Sequence, residues 1–594
     1  MFKRWVLFFL VACTAVGFTA PVRAEGPISI QSPEEAKKKA EDDAKKLIAD
    51  MDDPKIKADS AWMMVSTAFV MLMVPGLALF YGGMVRRKNV LSTMMQSMVA
   101  LAVVGVYWVA IGYALAFGKP CLEIPGWGSV IGFDPKLIFL AGIEPYTMLE
   151  GTNLPVYLHM LYQGMFAIIT PALISGAVAE RIRFKPYCIF LILWITFVYC
   201  PLAHSVWAMD WWAKAAHATE TAVMGETAVG ILGRLGALDF AGGTVVHIAA
   251  GFSGLAAILL LRKRLGYPEH AMHPNSMVLT LTGAGILWFG WFGFNGGSGL
   301  TSGAIATSAF AATQAAAAAA AMSWMIAEWL HRGKPTALGL ASGLVAGLVA
   351  VTPASGFVYP WGGFAIGLIS GVVCYLAVTL KPFFKYDDSL DAFGVHGVGG
   401  FLGAVLTGVF CYEWNYVKPA VGAQGLIAGG GFKQLGIQFV AAAGSAAFAF
   451  VLSLVLVKII DLAIGFMAVS EEEVEGLDRT EHGETGFDFG YGYEVAAITN
   501  PAEPRSAIVP PNGVGRFHIM VEGANNGDLI HAWSEMCKPT PEPTPEFKAI
   551  YRYVTTVQGN RFQFRGGDPE SMKANVQKLF EKALKRTLRV KVEA

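Results

Sequence analysis

The chain has 594 residues, of which 54% are hydrophobic and only 15% are charged, and its formal net charge is zero. Soluble domains carry about 25% charged residues, so this composition indicates a membrane protein. The balanced charge argues against nucleic acid as a partner, because nucleic-acid-binding proteins usually carry a basic surplus.

The N-terminus has the pattern of a targeting sequence. Residues 1–24, MFKRWVLFFLVACTAVGFTAPVRA, combine a basic start, a short apolar core and a small-residue end. This pattern predicts a secretory signal peptide cleaved after Ala24. The alternative is an uncleaved first span, but the core is short and Pro21 interrupts its end. The charge-dense segment 25–59 would then lie outside the membrane, as a solvated helix or as a short coiled coil or cap.

Residues 60–466 are predicted to form the membrane domain. Eleven apolar segments follow one another there, each near or above the ~20 residues that span a bilayer, with the eighth short at its edges. The predicted spans are 60–83, 91–117, 156–178, 187–208, 240–261, 277–294, 301–330, 337–353, 357–380, 392–412 and 433–466. The 67 glycines and an unbroken alanine run at 315–321 favour close helix packing. The predicted fold is an all-α polytopic membrane protein.

Basic residues set the predicted orientation. They cluster in every second loop, at 86–88, 181–185, 262–264, 332–334 and 381–385. The positive-inside rule therefore places the mature N-terminus outside and the C-terminus in the cytoplasm, in a bacterial inner (plasma) membrane.

The chain continues beyond the last predicted span. Residues 467–514 read as a cytoplasmic tail and a Pro-rich linker, and residues 515–594 read as a small α+β domain. The order there is strand, helix, strand, strand, helix, strand, which is ferredoxin-like. The seven cysteines are scattered without metal-ligand spacing, so no metal or other cofactor is predicted.

Two histidines lie inside predicted spans. His247 is in span five, within GGTVVHIAAG, and His396 is in span ten, within AFGVHGVGG. A lone buried histidine is usually a structural hydrogen-bonder, but ionisable groups in spans often mark a conduction path. These two occupy corresponding members of two five-helix halves of opposite topology, with a final helix added, and such pairs point to a central site.

Each histidine follows a Leu-Asp pair, with Asp239 eight residues before His247 and Asp391 five residues before His396. Either aspartate could cap a helix start. Counting from these ends at ~1.5 Å per residue leaves the two rings about 11 Å apart along the membrane normal. Spacing alone therefore does not make them touch.

Seven stretches follow one another across residues 80–484: FYGGMVRRKNVLS, AERIRF, GALDFAGGTVVHI, GWFGFN, VTPASG, DAFGVHGVGG and EGLDRTEHGE. As an ordered set they resemble the ammonium transporter family, which includes methylammonium permeases and Rhesus glycoproteins.

The resemblance implies a homotrimer of eleven-helix subunits, each with its own pore for ammonium or ammonia, and methylammonium as an analogue. It makes His247 and His396 paired pore histidines that touch, and Phe166 and Phe294 a stacked gate above them. Trp207 and Ser298, joined by Phe166, would recruit ammonium. It also makes Asp239 the carboxylate of the outer vestibule, and residues 471–484 a segment that couples neighbouring subunits.

The chemistry fits these residue types. Ammonium resembles potassium in size and charge, but it donates hydrogen bonds and can lose a proton. Aromatic faces attract a cation by about 0.5–2 kcal/mol, whereas carrying it past two phenyl rings would cost several kcal/mol. Imidazoles can relay the proton near neutral pH. The predicted function is therefore ammonium transport, with ammonia conducted past the histidines.

Two features depart from the family's usual pattern. Tyr162 stands where phenylalanine is common, so its hydroxyl could alter vestibule affinity. The domain at 515–594 has the element order of nitrogen-signalling proteins that plug such transporters, and we expect it to be regulatory, with an inert extension as the alternative.

Two rival functions stay open. One is an ammonium sensor that signals through the C-terminal domain, with a cytoplasmic nitrogen-signalling protein as its candidate partner. A Rhesus-type gas channel is disfavoured by Trp207 and Ser298. An enzyme is not predicted, because His270 and His273 lie in a basic loop without companion ligands.

Overall fold

The computed structural model describes residues 51–210, 228–412 and 423–487, most of 516–593, and six positions between 34 and 49. The predicted signal peptide 1–24 and the Pro-rich part of the linker lie outside the described residues. The described chain divides into two compact units, one ending at Phe489 and the other beginning at Gly490.

Each predicted span forms a helix in the first unit. The ten longer ones are α1 (Pro54–Met84), α2 (Arg87–Phe117), α3 (Val156–Val178), α4 (Phe184–Trp207), α5 (Gly243–Leu260), α6 (Met277–Gly297), α7 (Ala304–Arg332), α9 (Pro360–Phe384), α10 (Phe393–Phe410) and α11 (Lys433–Ile464). Helix α8 (Ala337–Val351) has only 15 residues, which agrees with the short eighth segment of the sequence.

The first span begins earlier than hydropathy indicates. Helix α1 starts at Pro54, six residues before the predicted start, so it includes part of the charged segment. The side chain of Asp53 accepts a hydrogen bond from the backbone N–H of Lys55 at 2.7 Å, and proline occupies the first helical position. Both features favour a helix start, and hydropathy does not register them.

The two halves of the membrane unit pack through equivalent helices. Helix α1 packs along α6, and α5 packs against α10, so the first and fifth members of one half each contact their counterparts in the other. This pairing is the one expected for two five-helix repeats, with α11 following them. On one side of the unit, an antiparallel hairpin of β1 (Pro120–Ile124) and β2 (Gly128–Gly132) joins α2 to α3.

Two short helices, α12 (Ser470–Glu475) and α13 (Leu477–His482), follow α11 and lie against the loops of the same chain. Asp478 accepts hydrogen bonds from the backbone N–H groups of Leu91 and Ser92, at 3.1 and 2.8 Å. The tail therefore satisfies donors in the first turn of the helical segment Val90–Tyr107 within α2.

The second unit is a four-stranded antiparallel sheet with helices. Its elements are β3 (Arg516–Glu522), α14 (Asn526–Met536), α15 (Pro545–Tyr551), β4 (Val554–Gln558), β5 (Arg561–Arg565), α16 (Pro569–Leu584) and β6 (Arg589–Glu593). The strand order β4-β5-β3-β6 is ferredoxin-like, as predicted. The predicted order lacks one element: a second helix, α15, lies between α14 and β4, and the second strand begins only at Val554.

Candidate functional site

The two span histidines meet inside the membrane unit. Both are buried, their ring centroids are 5.3 Å apart with a 21° interplanar angle, and their Nδ1 atoms are 3.3 Å apart. The separation of about 11 Å estimated from helix counting is therefore wrong. The contact that the resemblance implied is present.

Glycines explain how the rings come together. A Cβ on Gly251 of α5 would collide with Gly397 of α10, and a Cβ on Gly400 would lie 2.8 Å from the Cβ of His247. The two backbones therefore cross in close contact, which only small residues permit. Each histidine also lies in a π-helical stretch, at Gly243–Ile248 and Phe393–Gly397, which alters the register that ideal helix counting assumes.

A line of aromatic rings leads to the histidines. Phe166 and Phe294 are stacked, with centroids 4.1 Å apart and planes at 21°. Phe294 lies 6.1 Å from the ring of His247, and Phe166 lies 6.1 Å from the ring of Trp207 in an edge-on arrangement. Helices α3 and α6 thus supply two rings that close the route between Trp207 and the histidine pair.

The histidines lie in an enclosed chamber with an apolar wall. Besides the two histidines, its lining residues are Met73, Leu77, Phe80, Ile169, Leu173, Val246, Leu287, Trp291, Phe294 and Val345. Nε2 of His247 is buried and has no hydrogen-bond partner in the described part of the chain. A buried polar atom without a partner in an apolar chamber is a candidate contact for a small polar ligand.

Trp291 is a chamber residue that our sequence reasoning missed. Its ring is stacked on His247, with centroids 5.4 Å apart and planes at 18°. Its indole N–H donates to Thr352 Oγ1 at 2.9 Å. Trp291 belongs to the quoted motif GWFGFN, but aromatic residues are so frequent in membrane helices that the sequence alone did not distinguish it.

On the other side of the phenyl pair lies an open vestibule of about 460 Å³. Its lining includes Trp207, Ser298 and Phe166, for which the resemblance implied recruitment, and Asp239, which it implied as the vestibule carboxylate. The indole N–H of Trp207 donates to the backbone carbonyl of Asp239 at 2.8 Å, which fixes the ring. Ser298 donates its hydroxyl proton to the carbonyl of Phe294 at 2.8 Å, so its oxygen lone pairs remain available as acceptors.

Tyr162 does not line the vestibule. Its hydroxyl lies 2.7 Å from the carbonyl oxygen of Phe294, 2.9 Å from that of Gly293 and 3.2 Å from Ser298 Oγ. The side chain is fully buried. The hydroxyl that departs from the family pattern therefore holds the end of α6, where Phe294 and Ser298 are located.

Asp239 is a capping residue. Its carboxylate accepts hydrogen bonds from the backbone N–H groups of Gly242, Thr244 and Val245, at 3.0, 2.9 and 3.1 Å. Both oxygens are thus used at the start of α5, eight residues before His247. The carboxylate stabilises the segment that carries this histidine.

Asp391 does not cap α10, so the capping role that the sequence suggested for it is wrong. Its carboxylate pairs with Lys381 at 2.5 Å. The cap is Asp388, which accepts from the N–H groups of Ala392 and Phe393 at 3.1 and 2.8 Å. Asp388 precedes His396 by the same eight residues that separate Asp239 from His247. This equal spacing of eight residues was visible in the sequence, but we chose Asp391 because it follows a leucine, as Asp239 does, and is nearer to His396.

A buried ion cluster joins several of the basic loops on one face of the unit. Arg264 pairs with Asp387 at 2.8 Å and with Glu180 at 3.0 Å, and Glu180 also pairs with Arg86 at 3.0 Å. Burial alone would raise the pKa of Glu180, but Arg264 and Arg86 hold this pKa below its ordinary value. The loops after α1, α3, α5 and α9 thus meet in one electrostatic network.

The tail joins this cluster through Glu473. The carboxylate of Glu473 pairs with Arg262 at 2.5 Å and with Arg86 at 3.6 Å, and it accepts from the N–H of Leu265 at 2.7 Å.

The fold and this site define a class: a polytopic membrane protein with an open vestibule, a stacked aromatic closure and an enclosed apolar chamber that contains paired histidines. The Ammonium Transporter Family profile matches residues 61–487. The chain belongs to this family.

Known relatives agree with this assignment. The chain is 43% identical over 434 residues to an ammonium transporter of Bacillus subtilis, covering 72% of this chain and 98% of the relative. It is similar to the crystal structure of Saccharomyces cerevisiae Mep2, with 35% identity, a TM-score of 0.58, and coverage of 70% of this chain and 88% of that chain. It is also similar to a structure titled "Sensor Amt Protein", with 28% identity, a TM-score of 0.63, and coverage of 72% and 99%.

Proposed function

We propose that the protein transports ammonium, recruiting the cation in the vestibule and conducting ammonia through the chamber while His247 and His396 handle the proton. The observation that carries this proposal is the contact between the two buried imidazoles, which lie at the end of the row of aromatic rings formed by Trp207, Phe166 and Phe294. Family membership supports the cargo, since the Bacillus subtilis relative is named an ammonium transporter.

Recruitment uses the vestibule. The face of Trp207 and the ring of Phe166 offer cation–π attraction of about 0.5–2 kcal/mol. Ser298 offers oxygen lone pairs, because its proton is donated to Phe294. An ammonium ion can donate a hydrogen bond to this oxygen while its charge lies against the aromatic faces.

The stacked rings then discriminate by charge. Phe166 and Phe294 are hydrocarbon rings that offer a bare cation no oxygen ligand, and moving an ion into such surroundings costs several kcal/mol. Neutral ammonia loses far less solvation. Potassium has no proton to release, so it stays outside.

The histidine pair gives the chamber its proton chemistry. An N–H···N bond between the two Nδ1 atoms requires one protonated and one bare nitrogen. With both rings neutral, one ring then presents Nε2–H and the other a bare Nε2. The pair can therefore accept a hydrogen bond from ammonia, donate one to it, and pass a proton along the shared bond.

A current recording tests this proposal. The purified protein is reconstituted in proteoliposomes and exposed to pulses of ammonium and of potassium at equal concentration. We expect a saturable current with ammonium and none above that of protein-free vesicles with potassium. A potassium current of similar size would contradict the proposal.

The assembly and orientation remain proposals. The family resemblance supports a homotrimer. The positive-inside rule, together with the gathering of basic loops on one face, supports an outer N-terminus and a cytoplasmic C-terminus. Size-exclusion chromatography with light scattering tests the trimer. Protease access to the tail in right-side-out vesicles tests the orientation.

A sensor role is the second candidate, because a separate ferredoxin-like unit follows the tail. We infer a regulatory role for this unit, with a cytoplasmic nitrogen-signalling protein as a candidate partner. A chain ending at residue 487 tests it. If the truncation changes the cellular response to ammonium but not methylammonium uptake, the unit signals; if it changes neither, the unit is an inert extension.

A further inference from the structure

A second carboxylate besides Asp239, Asp59 of α1, lines the same vestibule as Trp207 and Ser298. Its side chain is nearly inaccessible, with 5% of the residue's surface exposed. No sequence pattern selects it, since it lies at the end of a charge-dense segment.

Asp59 joins two loops that frame the vestibule. Its Oδ1 accepts from the N–H of Ser302 at 2.7 Å, from the hydroxyl of Ser302 at 2.8 Å and from that of Thr301 at 3.1 Å. Its Oδ2 accepts from the amide of Asn153 at 3.0 Å. One loop follows Ser298, and the other precedes α3, which carries Phe166.

The loop after Ser298 requires such an anchor. Helix α6 ends at Gly297, and Leu300 has a φ of 52°, a left-handed conformation that is unfavourable for residues other than glycine. Trp62, one turn after Asp59 on α1, donates its indole N–H to the carbonyl of Gly296 at 3.3 Å. Helix α1 therefore holds the chain on both sides of Ser298.

In the described part of the chain, the hydrogen bonds that the Asp59 carboxylate accepts come from neutral groups. The donors are the hydroxyls of Thr301 and Ser302, the backbone N–H of Ser302 and the side-chain amide of Asn153, and none of them carries a positive charge. A negative charge in a vestibule lowers the energy of a cation there, although water screens the effect.

We propose that Asp59 sets the affinity of the outer recruitment site, both by positioning the turn that carries Ser298 and by supplying a negative charge that its described hydrogen-bond donors do not neutralise. Asp59 is a positioning residue, not a direct ligand, because its oxygens are occupied by the two loops. This inference rests on the proposed function, since it assumes that the vestibule recruits a cation.

The test measures ammonium-elicited current against concentration in proteoliposomes for the wild type and three variants. Asp59→Asn removes the charge, and Thr301→Ala removes one contact but keeps the charge. Asp53→Asn is the matched control, because Asp53 is an exposed residue at the start of the same helix and does not line the vestibule.

We expect the KM of Asp59→Asn to rise about fivefold, the order of the effect of one water-screened unit charge, with a maximal current within about twofold of wild type. The KM of Thr301→Ala should rise less, and that of Asp53→Asn should stay at the wild-type value. Higher ionic strength should raise the wild-type KM, so the difference in KM between the wild type and Asp59→Asn should become smaller.

An unchanged KM in Asp59→Asn, or a loss of maximal current at unchanged KM, would overturn the inference. If this variant does not assemble, Thr301→Ala decides: an increased KM supports the inference, and the wild-type KM overturns it. Failure of the proposed function is recognised separately, because the wild type itself would then show no saturable ammonium current.

Discussion

The Nδ1 atoms of His247 and His396 lie 3.3 Å apart, although the two residues come from helices of different halves of the chain. The contact depends on the close crossing of α5 and α10 and on the equal spacing of each histidine from its capping aspartate. The site is thus built by the symmetry of the fold and not by a local motif.

Trp207 is expected to govern affinity more than rate. Replacing it by leucine removes the aromatic face, so the KM for ammonium should rise about 2- to 30-fold, the equivalent of 0.5–2 kcal/mol. Concentration-dependent methylammonium uptake measures this. The control is Trp127→Leu, in the exposed hairpin loop between β1 and β2. Equal KM values for the Trp207 and Trp127 variants would show that Trp207 does not contribute to recruitment.

The glycine crossing predicts a stability effect. In Gly251→Ala the new Cβ meets the backbone of Gly397, so the helices must separate, which costs about 1–3 kcal/mol. Gly285→Ala on α6 is the matched control, since a Cβ at that position would have no neighbouring atom within 4 Å. Thermal unfolding in detergent should show a lower midpoint for the first variant only. Similar midpoints would mean that the crossing tolerates a methyl group.

Arg264 is expected to stabilise the face where the loops meet. Its replacement by methionine leaves Asp387 and Glu180 short of a partner in a buried position, at a cost of about 3–5 kcal/mol. Lys263→Met, one residue away and exposed, is the control. We expect only the Arg264 variant to unfold at a lower denaturant concentration. The cluster would be energetically unimportant if both variants behaved like the wild type.

The same cluster predicts a pH dependence. Burial acts to raise the pKa values of Glu180 and Asp387, but ion pairing holds both below their ordinary values. A carboxylate with a lowered folded-state pKa stabilises the fold above its unfolded pKa, about 4.3 for glutamate, and this stabilisation is lost as the pH falls through the folded-state pKa. The melting temperature of the wild type should therefore decrease as the pH is lowered beneath about 4. The melting temperature of Glu180→Gln should decrease less steeply over the same pH range. Plots of melting temperature against pH that run parallel for the wild type and Glu180→Gln would contradict this prediction.

The sequence predicted the spans well because hydropathy reports burial in lipid directly, and ten of the helices in the described part of the chain are long and apolar enough to cross a membrane. It could not predict the histidine contact from helix counting, because the crossing at Gly251 and the π-helical stretches change the geometry. Only the family resemblance supplied that contact.

Other residues were missed because their partners are distant in sequence. Asp59 contacts Ser302, 243 positions away, and no local pattern marks such a pair. Asp388 was missed for a different reason: Asp391 is closer to His396 and follows leucine as Asp239 does, so the more visible pair was chosen.

Uptake and potassium exclusion in histidine variants test the central claim most directly. His247→Ala and His396→Ala are compared with His331→Ala, whose ring contacts Tyr375 away from the chamber. The account predicts that each chamber variant loses methylammonium flux by about a hundredfold, the order of a general acid–base contribution, or admits potassium, while the control does neither. Wild-type uptake together with intact potassium exclusion in both chamber variants would contradict the account.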